Sequence, residues 1–154
     1  MQTIKTEIGG NPYEFSLNTK MAEVMPISGF DCFWSIGMQF TELNEEGSPF
    51  PEEKEQVVAL NNMLISMIRL SGEIAVVGIA IYEGVQELMF YSSLADAEEI
   101  GAGINAFKEN ADEDFKSRFM GAQAVEDTHW EKVAGYFEMW EDAKLQREGS
   151  QAPQ

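Results

Sequence analysis

Apolar and polar positions alternate from the first residues of the chain. Ile4, Thr6 and Ile8 alternate with Lys5 and Glu7, and the alternation resumes at Tyr13, Phe15 and Leu17 after the turn cluster Gly9-Gly10-Asn11-Pro12. This pattern predicts a β-hairpin over residues 3–18. Residues 19–29, with Pro26 and Gly29 as breakers, predict irregular backbone. Phe30, Cys32, Trp34, Ile36, Met38 and Phe40 then fall on one side of a strand, opposite Asp31, Phe33, Ser35, Gly37, Gln39 and Thr41. An acidic loop follows, Glu42 to Ser48. Pro51-Glu52-Glu53 opens a helix, because proline pre-sets φ and carboxylates favour the positive end of the dipole. Its buried stripe is Val57, Leu60, Leu64 and Met67 or Ile68, with Arg69 in the last turn and Gly72 as a left-handed cap.

Ile74 to Tyr82 is almost continuously apolar and predicts a strand buried on both faces. Glu83-Gly84 turns it into a second strand, Gln86 to Tyr91. Ser93-Leu94-Ala95-Asp96 has the form of a capping box with Asp in the place of Glu. The helix after it lines one face with Ala97, Ile100, Ile104 and Phe107, and Gly101 and Gly103 each cost it about 1 kcal/mol relative to alanine. Phe115, Ser117 and Phe119 alternate with Lys116 and Arg118, which predicts a strand running to about Ala124. The pair Lys116 and Arg118 is expected to meet carboxylates on a neighbouring element as exposed ion pairs. Residues 128–147, with Trp130, Val133, Phe137 and Trp140, predict a helix, and the polar tail Gly149–Gln154 is expected to fray.

From residue 30 the order is strand, helix, strand, strand, helix, strand. Two split β-α-β units of this kind give an α+β, ferredoxin-like antiparallel sheet with both helices on one face. The N-terminal hairpin precedes it and the C-terminal helix follows. The expectation is one α+β domain over residues 1–148 with a flexible tail at 149–154. In that topology the apolar strand 74–82 lies at an edge, which invites pairing. Either the hairpin or a second subunit should cover it.

The chain has 154 residues, 44% of them hydrophobic, and a formal net charge of −17. That size suffices for a core without staples. So acidic a surface repels phosphates and anionic membranes at long range, so no direct nucleic-acid or membrane partner is expected. A basic protein partner fits the charge, although solubility alone would also account for it. Cys32 is the only cysteine and lies in the apolar run Phe30-Asp31-Cys32-Phe33-Trp34, where a buried thiol is expected. No basic region followed by an apolar stretch opens the chain, and no apolar run approaches the ~18 residues of a membrane span. A cytoplasmic location is the expectation.

The strand Leu88-Met89-Phe90-Tyr91, the acidic helix after it, the strand from Phe115 and the segment Asp127-Thr128-His129-Trp130 together resemble the bacterial family known as domain of unknown function 695. More remotely, the chain is similar to the regulator of ribonuclease activity B family. The resemblance covers roughly residues 50–137. Where the family pattern often continues to a tyrosine three residues after the tryptophan, this chain has Val133. The nearer family implies a ferredoxin-like fold and no assigned activity. The remoter one implies an acidic protein that inhibits a nuclease by binding it.

Candidate chemistry is sparse. His129 is the single histidine and lies beside Asp127 and Glu131, which raises a general-base or metal reading. On a helix, residues two apart point about 200° from each other, so the three do not converge locally. Asp112-Glu113-Asp114 and Glu42, Glu45 and Glu46 lack the spacing of a calcium loop and read as solvated. Ser92-Ser93 has no glycine elbow, and Gly101-Ala102-Gly103 lies inside a predicted helix, so neither indicates a nucleophile or a phosphate cradle. No catalytic residue, metal or cofactor is assigned. Trp130, Tyr136, Phe137 and Trp140 cluster with Glu131, Glu138, Glu141 and Asp142. They make either a helix face packed on the sheet or a partner surface of aromatic anchors rimmed by carboxylates. The candidate partner-binding residues are Asp127, His129, Trp130, Glu131, Tyr136 and Trp140. The functional expectation is an acidic binding or regulatory module for a basic protein. The alternatives are an enzyme with a site of carboxylates and His129, or a structural homodimer.

Overall fold

The computed structural model describes residues 1–150, with side chains as far as Gln146. In chain order the elements are strands β1 (Gln2–Ile8) and β2 (Asn11–Leu17), the short helix α1 (Met21–Val24), β3 (Cys32–Gln39), α2 (Pro51–Ser71), β4 (Ile74–Tyr82), β5 (Val85–Ser92), α3 (Ala97–Asn110), α4 (Glu113–Arg118), β6 (Phe119–Glu126) and α5 (Glu131–Ser150). The strands form one antiparallel sheet in the order β1-β2-β4-β5-β3-β6. The chain is therefore a mixed α+β protein. The hairpin turns at Gly9-Gly10, both at positive φ (+60° and +83°), as a tight turn between twisted strands requires.

The two faces of the sheet carry separate cores. Trp34, Ile36, Met38, Leu88 and Phe90 point to the side covered by α2, α3 and α4, where they meet Val57, Leu64, Ile68, Ile100, Ile104 and Phe115. Phe15, Leu17, Val77, Met89 and Tyr91 point to the side covered by α5, where they meet Trp130, Val133 and Phe137. Both faces are thus apolar along β4 and β5, as the unbroken apolar run of β4 anticipated. The edge of β4 is covered by the hairpin: Tyr13 to Leu17 pair with Tyr82 to Gly78. Gly103 lets α3 approach α2, since a Cβ there would lie 2.8 Å from Ser71 Oγ.

The structure departs from the sequence reading in four places. Residues 113–118 form helix α4, and the strand begins only at Phe119. Phe115 and Phe119 are four apart, so strand and helix periods both fit them. The Asp112 carboxylate decides by accepting from the Phe115 amide at 3.0 Å as an N-cap. Arg118 is buried and not an exposed partner, at 5% of its accessible surface. Residues 19–29 contain the single turn of α1. The last helix starts at Glu131, three residues later than expected, and takes in Gly149 and Ser150. Residues 151–154 of the expected tail lie outside the described residues.

Gly78 sits where β4 bulges between Val76 and Gly78. A Cβ there would penetrate the Ser16 carbonyl oxygen of β2, which is backbone and cannot swing aside. Gly78→Ala is expected to cost about 1–3 kcal/mol. It should also lower hydrogen-exchange protection at Phe15 to Leu17 first. A urea midpoint equal to that of the wild type would refute this.

Candidate functional site

The segment after β6 builds a joint. The Asp127 amide donates to the Asp31 carbonyl at 2.7 Å, which closes the end of the strand. The Asp127 carboxylate accepts from the amides of Glu131 and Lys132 at 3.0 Å each, capping α5. It also accepts from the Tyr91 hydroxyl at 2.6 Å. Burial alone would raise the carboxyl of Asp127, but these hydrogen bonds outweigh it and hold the group below its ordinary value. The Tyr91 phenol moves the other way, raised by burial and then by its bond to Asp127.

Trp130 turns the chain at a positive φ of 57°. Its indole stacks on Tyr91 at 3.9 Å, with the planes 6° apart. Its Nε1 donates to the Phe30 carbonyl at 2.9 Å. The aromatic end of β5 and the Asp-x-x-Trp segment are therefore one structural unit, joined through Tyr91. Trp140 is also buried and donates from Nε1 to Gln2 Oε1 at 2.9 Å. Of the six partner-binding candidates, Asp127, Trp130 and Trp140 thus serve the protein's own interior. His129 and Glu131 are exposed at the turn into α5. They do not converge with Asp127, which points inward.

Tyr136 leads to a site that the sequence did not single out. Helix α5 runs from Trp130, stacked on Tyr91, to Trp140, bonded to Gln2 of β1, and leaves part of β3, β5 and β6 open beside it. There, Phe33, Ser35, Glu87, Gln123, Val125, Lys132 and Tyr136 line an open cleft of about 260 Å³. Glu87 anchors it. One carboxylate oxygen accepts from Ser35 Oγ at 2.9 Å and the other from the Tyr82 hydroxyl at 2.8 Å. Tyr82 stacks on Tyr13 at 4.9 Å, and the Tyr13 hydroxyl meets that of Tyr136 at 2.6 Å. A carboxylate offers about four acceptor sites, so two remain for a ligand.

The three phenols are held as acids. Burial raises Tyr82 well above the ordinary phenol range, and its hydrogen bond to Glu87 adds to this. Burial also raises Tyr136, helped by its bond to Tyr13. Tyr13 is raised by burial against the lowering effect of Tyr136, with the Glu87 charge again raising it. Near neutral pH all three therefore stay protonated and none serves as a base. Phe33 and Tyr136 add ring faces. The cleft suits a compact cationic group able to donate to Glu87 and rest against an aromatic ring. Lys132 stands in its lining and repels a cation, which offsets part of the attraction of Glu87.

Sequence signals for this site existed in part. Ser35 falls on the side of β3 opposite the apolar stripe, and Glu87 is the charged residue of the otherwise uncharged β5. Their meeting depends on the register that sets Gly37 opposite Glu87 and Ser35 opposite Met89. Among the described residues, no group of three or more His, Cys, Asp or Glu side chains is placed to hold a metal ion. Among the described residues, no helix is long and apolar enough to cross a membrane.

Comparison with family models matches residues 2–139 to a family of unknown function (DUF695). The match takes in the hairpin, the sheet, and α5 as far as Met139. No curated protein gives a significant match. No solved structure does either.

Proposed function

The chain belongs to DUF695, a family of unknown function, and we propose that it is an acidic binding module that engages a basic protein partner. The observation that carries this reading is the Glu87 cleft, whose carboxylate is fixed by Ser35 and Tyr82 and keeps acceptor sites open. A lysine or arginine side chain of the partner would enter it. The net charge of −17 would steer such a partner toward the molecule.

The core β3-α2-β4-β5-α3-β6 is read as ferredoxin-like, supported by the order β4-β5-β3-β6, in which β3 is the first strand and β6 the fourth. A cytoplasmic location belongs to the same proposal, supported by the buried free thiol of Cys32, which burial pushes up. The competing enzyme reading needs His129 to meet carboxylates, and its exposed position beside an inward Asp127 does not favour that. The homodimer reading loses its original support, since β2 covers the edge of β4.

The test is an NMR titration of the whole chain with an N-acetylated arginine amide at low salt. Perturbation is expected at Ser35, Glu87 and Tyr136. Glu87→Gln should weaken binding about tenfold, the scale of one charge-assisted hydrogen bond, and leave the thermal midpoint near that of the wild type. Equal binding by Glu87→Gln, or shifts spread evenly over the acidic surface, would overturn the reading.

A further inference from the structure

Helix α2 carries two apolar seams. Glu53, Val57, Asn61, Leu64 and Ile68 are buried against the sheet and α3. A second seam, Leu60, Met63, Met67 and Leu70, has spacings of three, four and three, the pattern by which a helix presents itself to another helix. Leu60 is half-buried against the core, whereas the rest of the seam faces solvent: Met63 is 56% exposed, Met67 38% and Leu70 81%. It borders a groove of about 370 Å³ whose far wall is Ala106, Phe107 and Ala111, with Phe115 among the lining side chains. Phe107 is fixed edge-on against Phe115 at 4.9 Å, so the far wall is rigid while the methionine wall is adaptable.

Charge selects the occupant. Asp112 is the one charged residue in the groove lining. Exposed Glu109 and Glu113 flank it in sequence. The nearby cation Lys108 lies over the Phe119 ring at 5.5 Å. A second copy of this chain would bring a charge of −17 against −17. Self-association through the seam is therefore opposed, whereas a helix with lysine or arginine beside its apolar stripe gains on both counts.

We propose that the seam Leu60–Met63–Met67–Leu70 and the groove beside it dock an amphipathic, basic helix of a partner protein. This surface lies on the layer opposite the Glu87 cleft and is separable from it. The experiment is an NMR titration of the full chain with a short Leu/Lys amphipathic helix, run beside its Leu/Glu counterpart. The expected result is saturable binding of the Leu/Lys peptide, with the largest shifts at residues 60–70 and 106–115. No binding of the Leu/Glu peptide is expected. Met63→Gln with Met67→Gln should weaken binding about tenfold or more, because two methionines lose their burial. Both positions are exposed, so circular dichroism should show an unchanged fold. Glu138→Gln, an exposed change elsewhere, should alter affinity less than about twofold. The proposal fails if the Leu/Lys peptide does not bind, if its shifts spread over the whole acidic surface, or if the double methionine variant binds as well as the wild type. It also fails if sedimentation shows a dimer of this chain that the double variant abolishes.

Discussion

Arg118→Ala is expected to destabilise the protein by about 3–5 kcal/mol, the cost of leaving a buried carboxylate without its cation. Glu53 accepts from Arg118 Nη1 at 2.7 Å, from the Thr41 amide at 2.9 Å and from the Glu42 amide at 3.2 Å, as well as from the Thr41 hydroxyl. Arg118 in turn donates to Asp114 at 3.0 Å and to the Gln39 carbonyl at 3.3 Å. The pair ties the end of β3 to the first turn of α2 and the last turn of α4. Burial would raise the carboxyl of Glu53, but the bonds from Thr41, Arg118 and Glu42 prevail and lower it from 4.5 to about 2.

The sign of the pH effect follows from that direction. A carboxyl whose folded value is depressed adds stability above its unfolded value, and that stability is lost as pH falls through the folded one. The contribution of Glu53, on the order of 2 kcal/mol after allowance for solvent screening, should therefore be complete above pH 4.5 and disappear toward pH 2. In Arg118→Ala the slope of stability against pH should flatten across that window. Urea midpoints measured from pH 2 to 7 test both points. A variant within about 1 kcal/mol of the wild type at neutral pH, with an unchanged acid slope, would refute the assignment. Replacing Glu53 and Arg118 together by apolar residues of similar volume should cost less than Arg118→Ala alone, because no charge is then stranded.

Glu53 also marks the limit of what the sequence could disclose. Its place after Pro51 made it a helix-start carboxylate, and that was enough to locate α2. Its partners come from Thr41, Glu42 and Arg118, and no local period links position 53 to position 118. The hairpin, β3, α2 and β4–β5 were legible because each rests on a period or a turn signal contained within its own residues. Helix α4 was not, because Phe115 and Phe119 satisfy both periods and the deciding group, Asp112, lies outside the alternation. The same distinction governs the site. Tyr136 was visible as an aromatic near carboxylates. Ser35 and Glu87 were invisible as partners, because their meeting requires the register of β3 on β5 and the path of α5 across the sheet.

Trp130→Ala should cost about 3–5 kcal/mol, the range for a large aromatic removed from a closed interior. The indole is fully buried, stacked on Tyr91 and bonded to the Phe30 carbonyl. Its left-handed backbone stores about 1–3 kcal/mol of strain, which the packing of the ring must offset. Trp130→Phe keeps a ring on Tyr91 but loses the donor to Phe30, and should cost less, about 1–2 kcal/mol beyond the change in volume. Since α5 starts at the next residue and Tyr136 rides on α5, the alanine variant should also loosen the wall of the Glu87 cleft. Affinity for the arginine amide should then fall together with the thermal midpoint. Glu87→Gln is expected to lower affinity alone. This contrast separates the roles of the two segments, with Asp127 and Trp130 holding the helix that shapes the cleft and Glu87 meeting the ligand. If Trp130→Ala kept wild-type stability, or lost affinity without losing stability, the tryptophan would belong to the binding surface and the division would be wrong.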